Sequence, residues 1–333
     1  MENKISVIVC TYNQEDTIGR NLDSILMQQC HVPYEIIIGE DCSTDNTLDI
    51  CQRYAAQYPN IIRLIANQEN KGIADNYFDC ILASSGKYIA DCAGDDFWTD
   101  PLKLEKEVTI MEQHPHVSMV ITDWNFYDEE SQQTRRGNQR KLPPITEGKH
   151  MLEDIITQTG MNTFHLCTAL YRSDIFRSCY QENIFLFRNK DFGCEDIQIA
   201  FCMAQNGDIA YIDDVTLNYS IGKNNVSNQP DDNRQFHFVR QVTGLSFYLA
   251  EMHALSSPKI NKFFQKRIFA LYMHAFRSHS ESLRDEAMAC EKEWRTRQAT
   301  SIHIIKCVMQ KKTLWNLALI VRKIFVNGKR VLR

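Results

Sequence analysis

The sequence predicts an α/β protein with a mostly parallel sheet, followed by a helical C-terminal region. Three observations support this fold class. Short β-rich runs alternate with helical patterns over the first ninety residues, strand signals fade from Gln235 onward, and 44% of the 333 residues are hydrophobic. Alternating strands and helices are typical of parallel sheets with crossover helices. A chain of this length can bury a complete α/β core and still carry a further region.

Four strands are predicted in the N-terminal part of the sheet, at residues 5–10, 34–39, 61–66 and 87–93. A helix is predicted from about Glu15, with Asn13 as its N-cap, and a second helix follows Ser43 as its cap. After the fourth strand, a turn at residues 94–98 leads to Asp100-Pro101, which predicts the start of another helix.

The rest of the chain divides into three predicted stretches. Residues 128–149 are polar and contain Gly and Pro, which indicates a surface loop. Helices and strands are predicted between residues 150 and 218. The pattern is helical from Gln235 to the end, so we predict two domains, 1–228 and 229–333, with their boundary near residues 228–233.

Charge and cysteine content exclude several classes of protein. A net charge of −5 gives no electrostatic reason to expect binding to nucleic acid. The twelve cysteines include no Cys-x-x-Cys pair and lie partly in apolar runs, which indicates a reducing compartment without a disulfide framework. No signal-peptide pattern and no run of about 20 apolar residues is present, so we expect a cytoplasmic protein that does not span a membrane.

Polar side chains follow three of the predicted strands. The first strand continues into Thr11-Tyr12-Asn13, the second into residues 40–45, and the fourth into Gly94-Asp95-Asp96. Ligands of open parallel sheets bind beyond the carboxyl ends of the strands, where these residues would meet. An acidic edge of this kind can bind a diphosphate if a cation lies between the two sets of oxygens.

Three of these runs resemble the family 2 glycosyltransferases with the GT-A fold. They are Val-Ile-Val-Cys-Thr-Tyr-Asn, Ile-Gly-Glu-Asp-Cys-Ser-Thr-Asp-Asn-Thr and Gly-Lys-Tyr-Ile-Ala-Asp-Cys-Ala-Gly-Asp-Asp-Phe-Trp-Thr-Asp-Pro. The resemblance covers residues 5–228, with the motifs in the family's order and spacing. It implies a nucleotide-diphospho-sugar donor, a divalent cation (Mn²⁺ or Mg²⁺) and inversion at the anomeric carbon.

The resemblance also implies roles for individual residues. Glu195-Asp196 resembles the family's Glu-Asp element, and we predict Asp196 as the catalytic base with Glu195 as the alternative. Trp98 is predicted to form a wall for the acceptor sugar. The predicted donor-binding residues are Thr11, Tyr12, Asn13, Glu40, Asp41, Asp95 and Asp96, with Asp41 on the base and Asp95 also on the metal.

Two positions depart from the family pattern. The first acid of the Asp-x-Asp motif is Ala93, and the histidine of the family's Tyr-Arg-x-His motif is replaced by Gly222. Three interpretations remain open: Asp95 and the diphosphate hold the cation with extra water, Lys223 substitutes for the cation, or the chain is catalytically impaired.

Each candidate also has a simpler structural interpretation. Asp95-Asp96 and Asp41 could serve as turn or cap residues, and Glu195-Asp196 could complement a helix dipole. His165 lies in an apolar context, where we favour a core role over contact with acceptor or metal. The basic, apolar segment 313–333 is either a solvated helix or a peripheral contact with the inner face of the cell membrane.

The predicted function is therefore transfer of a sugar, with UDP favoured as its carrier by resemblance, to a glycan or lipid-linked acceptor in polysaccharide biosynthesis. A homo-oligomer is compatible with the sequence. The main alternative is a degenerate GT-A domain that binds nucleotide-sugar or a partner protein without turnover. A nucleotidyltransferase is disfavoured, because no glycine-rich basic loop follows the first strand.

Overall fold

A computed structural model of the chain describes residues 2–137, 142–158, 165–222 and 231–294, together with Ile304 and Cys307. The chain divides into two compact units, Met1–Gly222 and Lys223–Arg333. The boundary predicted near residues 228–233 falls partly in the stretch 223–230, outside the described residues, and stays a prediction.

The first unit contains ten strands and eight α-helices among its described residues. Its strands are β1 (Glu2–Thr11), β2 (Tyr34–Glu40), β3 (Ile62–Ala66), β4 (Gly86–Asp91), β5 (Phe97–Trp98), β6 (Val117–Asp128), β7 (Gln133–Arg136), β8 (Ile145–Thr146), β9 (Ala169–Arg172) and β10 (Asp208–Ile221). Its helices are α1 (Ile18–Leu26), α2 (Thr47–Gln57), α3 (Ile73–Ala83), α4 (Lys103–Gln113), α5 (Leu152–Thr157), α6 (Ser173–Glu182), α7 (Ile184–Arg188) and α8 (Asp196–Asn206).

The strands form one mixed sheet in the order β3-β2-β1-β4-β9-β6-β10-β5, with β7 beside β6 and β8 beside β10. The first four strands in this order are parallel, which confirms the predicted parallel arrangement for that part. Strand β9 runs antiparallel to both β4 and β6, so the whole sheet is less parallel than predicted. Thr11 pairs with Glu40, so β1 and β2 end at the same edge.

Predicted apolar stripes pack against the sheet as expected. In α1 the side chains of Ile18, Leu22 and Ile25 are fully buried, because residues three and four apart share one face of a helix. The stripe Leu104, Val108 and Met111 of α4 joins the same core. These two helices therefore cover the sheet face that supports the turn after β4.

Two predicted N-caps are wrong. Helix α1 begins at Ile18, and Asn13 has a left-handed backbone with φ 52°, whereas an N-cap residue needs an extended conformation. Helix α2 begins at Thr47, four residues after Ser43. Both side chains instead bond between the loops that follow β1 and β2.

The predicted surface loop 128–149 contains secondary structure that the sequence does not indicate. Strand β7 pairs antiparallel with the end of β6, and β8 pairs with β10. All four residues of β7 are exposed, so this strand has no hydrophobic alternation by which to predict it.

The second unit is helical over its described residues, as predicted. It contains α9 (Asp232–Met252), α10 (Pro258–Arg277) and α11 (Glu281–Glu293). Each helix begins after a side-chain cap, from Asp231, Ser257 and Ser280 respectively. No helix in the described part of the chain is long and apolar enough to cross a membrane. The basic segment 313–333 lies outside the described residues.

The twelve cysteines carry no disulfide, in agreement with the prediction from their spacing. Five of them are buried: Cys51, Cys80, Cys92, Cys202 and Cys290. These thiols act as small apolar core residues.

A buried ion pair lies beneath the turn that follows β4. Lys103 Nζ donates to both carboxylate oxygens of Glu107 at 2.8 Å, and both side chains are 0% exposed. Lys103 Nζ also lies 4.6 Å from the ring centroid of Trp98. Burial raises the pKa of Glu107 to about 7, against the opposing effect of Lys103.

Removing the lysine from this pair is expected to destabilise the protein. Lys103→Met would leave Glu107 buried without its counter-ion, at a cost of about 3 kcal/mol in the free energy of unfolding. The loss should be larger at pH 8 than at pH 5, because a protonated Glu107 no longer needs the cation. Denaturant unfolding would measure both values. The double variant Lys103→Met/Glu107→Leu is the control, and it should recover most of the loss; equal destabilisation of both variants would contradict this account.

Candidate functional site

The loops that follow β1 and β2 are tied together by hydrogen bonds. Asn13 N donates to Ser43 Oγ at 2.9 Å, and Asn13 Oδ1 accepts from Thr44 N at 2.8 Å. Thr11 is buried, whereas the side chain of the next residue, Tyr12, is 45% exposed. Tyr12 is therefore the aromatic side chain of this loop that a ligand can reach.

The two acids after β2 are buried and differ in their bonding. Asp41 accepts hydrogen bonds from Asn67 Nδ2, Lys71 N and Gly72 N at 2.9–3.0 Å. Its carboxylate thus fixes the loop before α3. Glu40 Oε1 accepts from Ser43 N, while Glu40 Oε2 has no hydrogen-bond partner among the described residues. A turn or cap role was the structural alternative for Asp41, and the structure places that role at the loop before α3. Its role on the nucleotide base stays a prediction.

The turn after β4 is fixed by the buried side chain of Asn21 from α1. Asn21 Nδ2 lies 2.8 Å from Ala93 O and 2.9 Å from Asp96 O, and so donates to both ends of the turn. Gly94 allows this turn to approach the β1 loop, since a Cβ there would overlap Gln14 Oε1 and lie 2.9 Å from Thr11 Oγ1. In the sequence, Asn21 could be noticed as a polar residue beside the apolar stripe of α1.

Arg20 and Ser220 hold the same turn from two other sides. Arg20 Nη2 lies 3.3 Å from Asp95 O, and its guanidinium pairs with Glu129 and stacks 4.2 Å from the ring centroid of Phe97. Ser220 Oγ donates to Asp95 O at 2.6 Å, and Ser220 N donates to Asp96 Oδ1 at 2.9 Å. Neither residue was predicted, because their contacts join positions far apart in sequence.

Under the sugar-transfer function that the resemblance implies, Arg20→Ala should reduce the rate about tenfold, because losing a hydrogen bond worth about 1.4 kcal/mol would let Asp95 move. Steady-state transfer rates would show the effect as a higher KM for the donor. Glu129→Gln is the matched control, since it removes the ion pair while keeping the contact of Arg20 with Asp95, and half-exposed ion pairs contribute little. An equal loss in Glu129→Gln would contradict the positioning role.

The two carboxylates of the turn are in different environments. Asp96 is buried, and its Oδ2 has no hydrogen-bond partner in the described part of the chain. Burial raises the pKa of Asp96 well above its ordinary value, and the neighbouring Asp95 adds to the effect. Burial also raises the pKa of Asp95, which retains partial access to solvent. The nearby Arg20 guanidinium opposes this rise at Asp95.

Glu195 and Asp196 stand at the start of α8, as predicted. Burial raises the pKa of both carboxyl groups, and the proximity of Asp196 raises that of Glu195 further. The charge of Asp196 also contributes to the raised pKa of Asp96.

Asp91 is a buried acid that the motifs did not indicate. It ends β4, and neither carboxylate oxygen makes a hydrogen bond of normal geometry in the described structure. Burial raises the pKa of Asp91 well above its ordinary value. Tyr77 lowers this pKa, and the charge of Asp196 raises it. A carboxylate at the end of an apolar strand was the available sequence signal.

Trp98 and His165 are packed among core residues, which contradicts the predicted acceptor wall at Trp98 and agrees with the core role favoured for His165. Trp98 is 1% exposed and donates from Nε1 to Cys167 O at 3.1 Å, so it offers no surface to a sugar ring. His165 stacks on Tyr219 with ring centroids 4.0 Å apart and meets Trp124 edge-on at 4.8 Å. Burial lowers the pKa of His165 to about 4, so its imidazole is neutral at neutral pH.

The acids after β4 suit a hard divalent cation. Asp95 and the unbonded Asp96 Oδ2 supply carboxylate oxygens, the ligand type that Mg²⁺ and Mn²⁺ prefer. Ala93 and Gly222 supply no side-chain ligand at the two family positions. Lys223, the predicted substitute cation, lies outside the described residues.

Comparison with known proteins gives consistent matches. The family model "Glycosyl transferase family 2" matches residues 6–179. An uncharacterized glycosyltransferase of Haemophilus influenzae is 30% identical over 234 residues, covering 68% of this chain and 69% of that protein. An uncharacterized protein of Mycobacterium tuberculosis is 44% identical over 115 residues, covering 34% of this chain and 33% of its own length. The match thus spans about a third of the mycobacterial protein.

A third relative is the putative teichuronic acid biosynthesis glycosyltransferase TuaG of Bacillus subtilis. It is 37% identical over 107 residues, which cover 32% of this chain and 41% of TuaG.

Two solved structures share the fold. The mannosyltransferase PcManGT of Pyrobaculum calidifontis, in complex with GDP-Man and Mn²⁺, has a TM-score of 0.54 at 18% identity, covering 95% of this chain and 83% of that one. S. aureus TarS 1–349 has a TM-score of 0.50 at 16% identity, covering 89% and 93%. The family model covers more than half of the chain, and the motif residues meet at one edge of the sheet. The chain belongs to glycosyl transferase family 2.

Proposed function

We propose that this protein transfers a sugar from a nucleotide-diphospho-sugar to a glycan or lipid-linked acceptor. One observation carries the proposal: α1 and β10 hold the Asp95-Asp96 turn against the loop after β1, which is bonded to the loop after β2, and the Glu195-Asp196 pair heads α8. These are the parts that donor binding and proton removal require.

Asp196 is the proposed general base. A sugar hydroxyl is a poor nucleophile, and a carboxylate within hydrogen-bond reach accepts its proton as the oxygen attacks the anomeric carbon. Asp196 matches the family's Glu-Asp element, and Glu195 is the alternative. Attack opposite the leaving diphosphate gives inversion at the anomeric carbon.

Asp95 is the proposed cation ligand, with Asp96 Oδ2 as the second oxygen donor. A bound Mn²⁺ or Mg²⁺ would neutralise the charge that develops on the leaving diphosphate. Thr11, Tyr12, Asn13, Glu40 and Asp41 would contact the nucleoside.

The donor and acceptor classes proposed for this protein rest on the names of its relatives. TuaG is named for teichuronic acid biosynthesis, and PcManGT was solved with GDP-Man and Mn²⁺. We favour a surface polysaccharide as the product and UDP as the carrier. The proposed location is the cytoplasm, where nucleotide-sugars are made, with segment 313–333 as the proposed membrane contact.

A donor-hydrolysis assay tests the proposal. The purified protein would be incubated with UDP- and GDP-linked sugars, with Mn²⁺, Mg²⁺ or chelator. We expect hydrolysis of one donor class that stops on chelation. Equal rates after chelation would rule out the cation, and binding without turnover of any donor or acceptor would favour the degenerate domain suggested by Ala93 and Gly222.

A further inference from the structure

A second group of potential metal ligands lies where the loop between α1 and β2 meets α4. Glu105 and Glu112, seven residues apart, both face His31 from α4. His31 Nδ1 lies 2.7 Å from Glu105 Oε2, and His31 Nε2 lies 3.2 Å from Glu112 Oε2. One imidazole thus bridges two carboxylates.

Cys30 adds a sulfur ligand to this group. The Cys30 sulfur, a ring nitrogen of His31 and a carboxylate oxygen of Glu105 lie within 4.8 Å of one another. Ligand atoms about 2.0–2.3 Å from a tetrahedral zinc ion are about 3.5 Å apart, so small side-chain movements would suffice. His31 is 51% exposed, which gives an ion access from solvent.

The backbone that carries these ligands is fixed on both sides. Gln28 Nε2 donates to Asp100 O at 2.7 Å, and Gln28 Oε1 accepts from Leu104 N at 3.1 Å. Gln29 N donates to Pro101 O at 2.8 Å. These bonds hold the loop against the start of α4, together with Glu105 Oε2, which accepts from His31 N at 2.9 Å.

We propose that Cys30, His31 and Glu105 form a binding site for a zinc-type divalent cation. Sulfur, imidazole and carboxylate together suit Zn²⁺ or Co²⁺ rather than Mg²⁺ or Mn²⁺. His31 Nδ1 ligates the ion, and the Nε2–H donates to Glu112, as the outer carboxylates of histidine-ligated metals do. Water fills the fourth position, and the ion joins the loop to α4.

Binding at this site releases a proton. The sulfur ligand is the thiolate, so the thiol proton of Cys30 passes to the buffer when the ion binds. The ligands share no residue with the proposed donor site, so this inference does not depend on the proposed function.

Metal titration of the full-length, tag-free protein tests the site. Zn²⁺ would be titrated in competition with a chromophoric chelator, and Co²⁺ would be followed by its thiolate charge-transfer absorption. We expect one tight equivalent with that absorption. Glu112→Gln should weaken binding about tenfold. Cys30→Ser should abolish the thiolate absorption and weaken binding more than Glu112→Gln does. Glu105→Gln should also weaken binding more than Glu112→Gln does.

Cys42→Ser is the matched control, because Cys42 is another partly buried thiol outside this group. It should bind as wild type does. Unchanged binding in Cys30→Ser, an equal loss in Cys42→Ser, or no tight equivalent in wild type would overturn the proposal. Near-ultraviolet circular dichroism of the zinc-free variants separates loss of ligands from loss of fold, and Glu112→Gln provides a graded readout in a folded chain.

Discussion

Replacing Asp196 with asparagine is expected to reduce sugar transfer about 10³-fold while leaving donor affinity within a factor of about three. General-base catalysis contributes about 10²–10⁴-fold, and an amide cannot accept the proton of the attacking hydroxyl. Because the loss is confined to the transition state, it should appear in kcat rather than in KM. Initial-rate kinetics with the donor identified in the hydrolysis panel would measure both.

Glu195→Gln is the matched control for this substitution, since it changes the adjacent carboxyl and keeps Asp196. Its transfer rate should stay within about tenfold of wild type. If Glu195→Gln were the inactive variant and Asp196→Asn retained activity, the base would be Glu195, the alternative at this site.

The pH profile gives an independent check on the same base. The burial of Asp196 raises its pKa above the ordinary aspartate value. Activity requires the ionised form, so the rate should fall as the pH is lowered, beginning above the range expected for a solvated aspartate. An acidic limb at the ordinary aspartate pKa would contradict the buried base.

Replacing Asp95 with asparagine is expected to lower kcat by about 10²–10³-fold and to remove the effect of Mn²⁺ on nucleotide binding. The neutral amide is a poor ligand for a hard cation, and losing one preorganised electrostatic group at a developing charge costs about this much. Calorimetric titration of nucleotide with and without Mn²⁺ would measure the loss of metal dependence.

Asp49→Asn provides the control for Asp95→Asn, because Asp49 is an exposed acid of α2 outside the turn. It should titrate as wild type does. Metal-dependent binding that survives in Asp95→Asn would assign the cation to other ligands, with Asp96 as the first to examine.

The motifs indicated the candidate site residues but not how they are held. Asp95, Asp96, Glu195 and Asp196 come from consecutive runs whose order and spacing are visible in the sequence. Asn21 and Ser220 fix the same turn from α1 and β10, and only the folded chain brings them to it. Long-range hydrogen bonds of this kind leave no local pattern to read.

Secondary structure was predictable where one face of an element is buried. The stripe Ile18, Leu22 and Ile25 identified α1 correctly, whereas Asn13 was misassigned because its amide bonds across to Thr44 instead of to its own helix. Strand β7 is exposed and has no apolar face, whereas its partner β6 is buried along most of its length. For these opposite reasons neither strand shows the period-two alternation of a half-buried strand. Trp98 was misassigned for a related reason: its place beside the acids is real, but its ring faces the core.

The most direct test of the central claim is calorimetric titration of UDP and GDP into the purified protein with Mn²⁺, repeated with chelator. This account predicts that one of the two nucleotides binds, that chelation weakens the binding, and that Asp95→Asn abolishes the difference. Absence of binding by either nucleotide in the presence of Mn²⁺ would contradict a nucleotide-sugar site at this edge of the sheet.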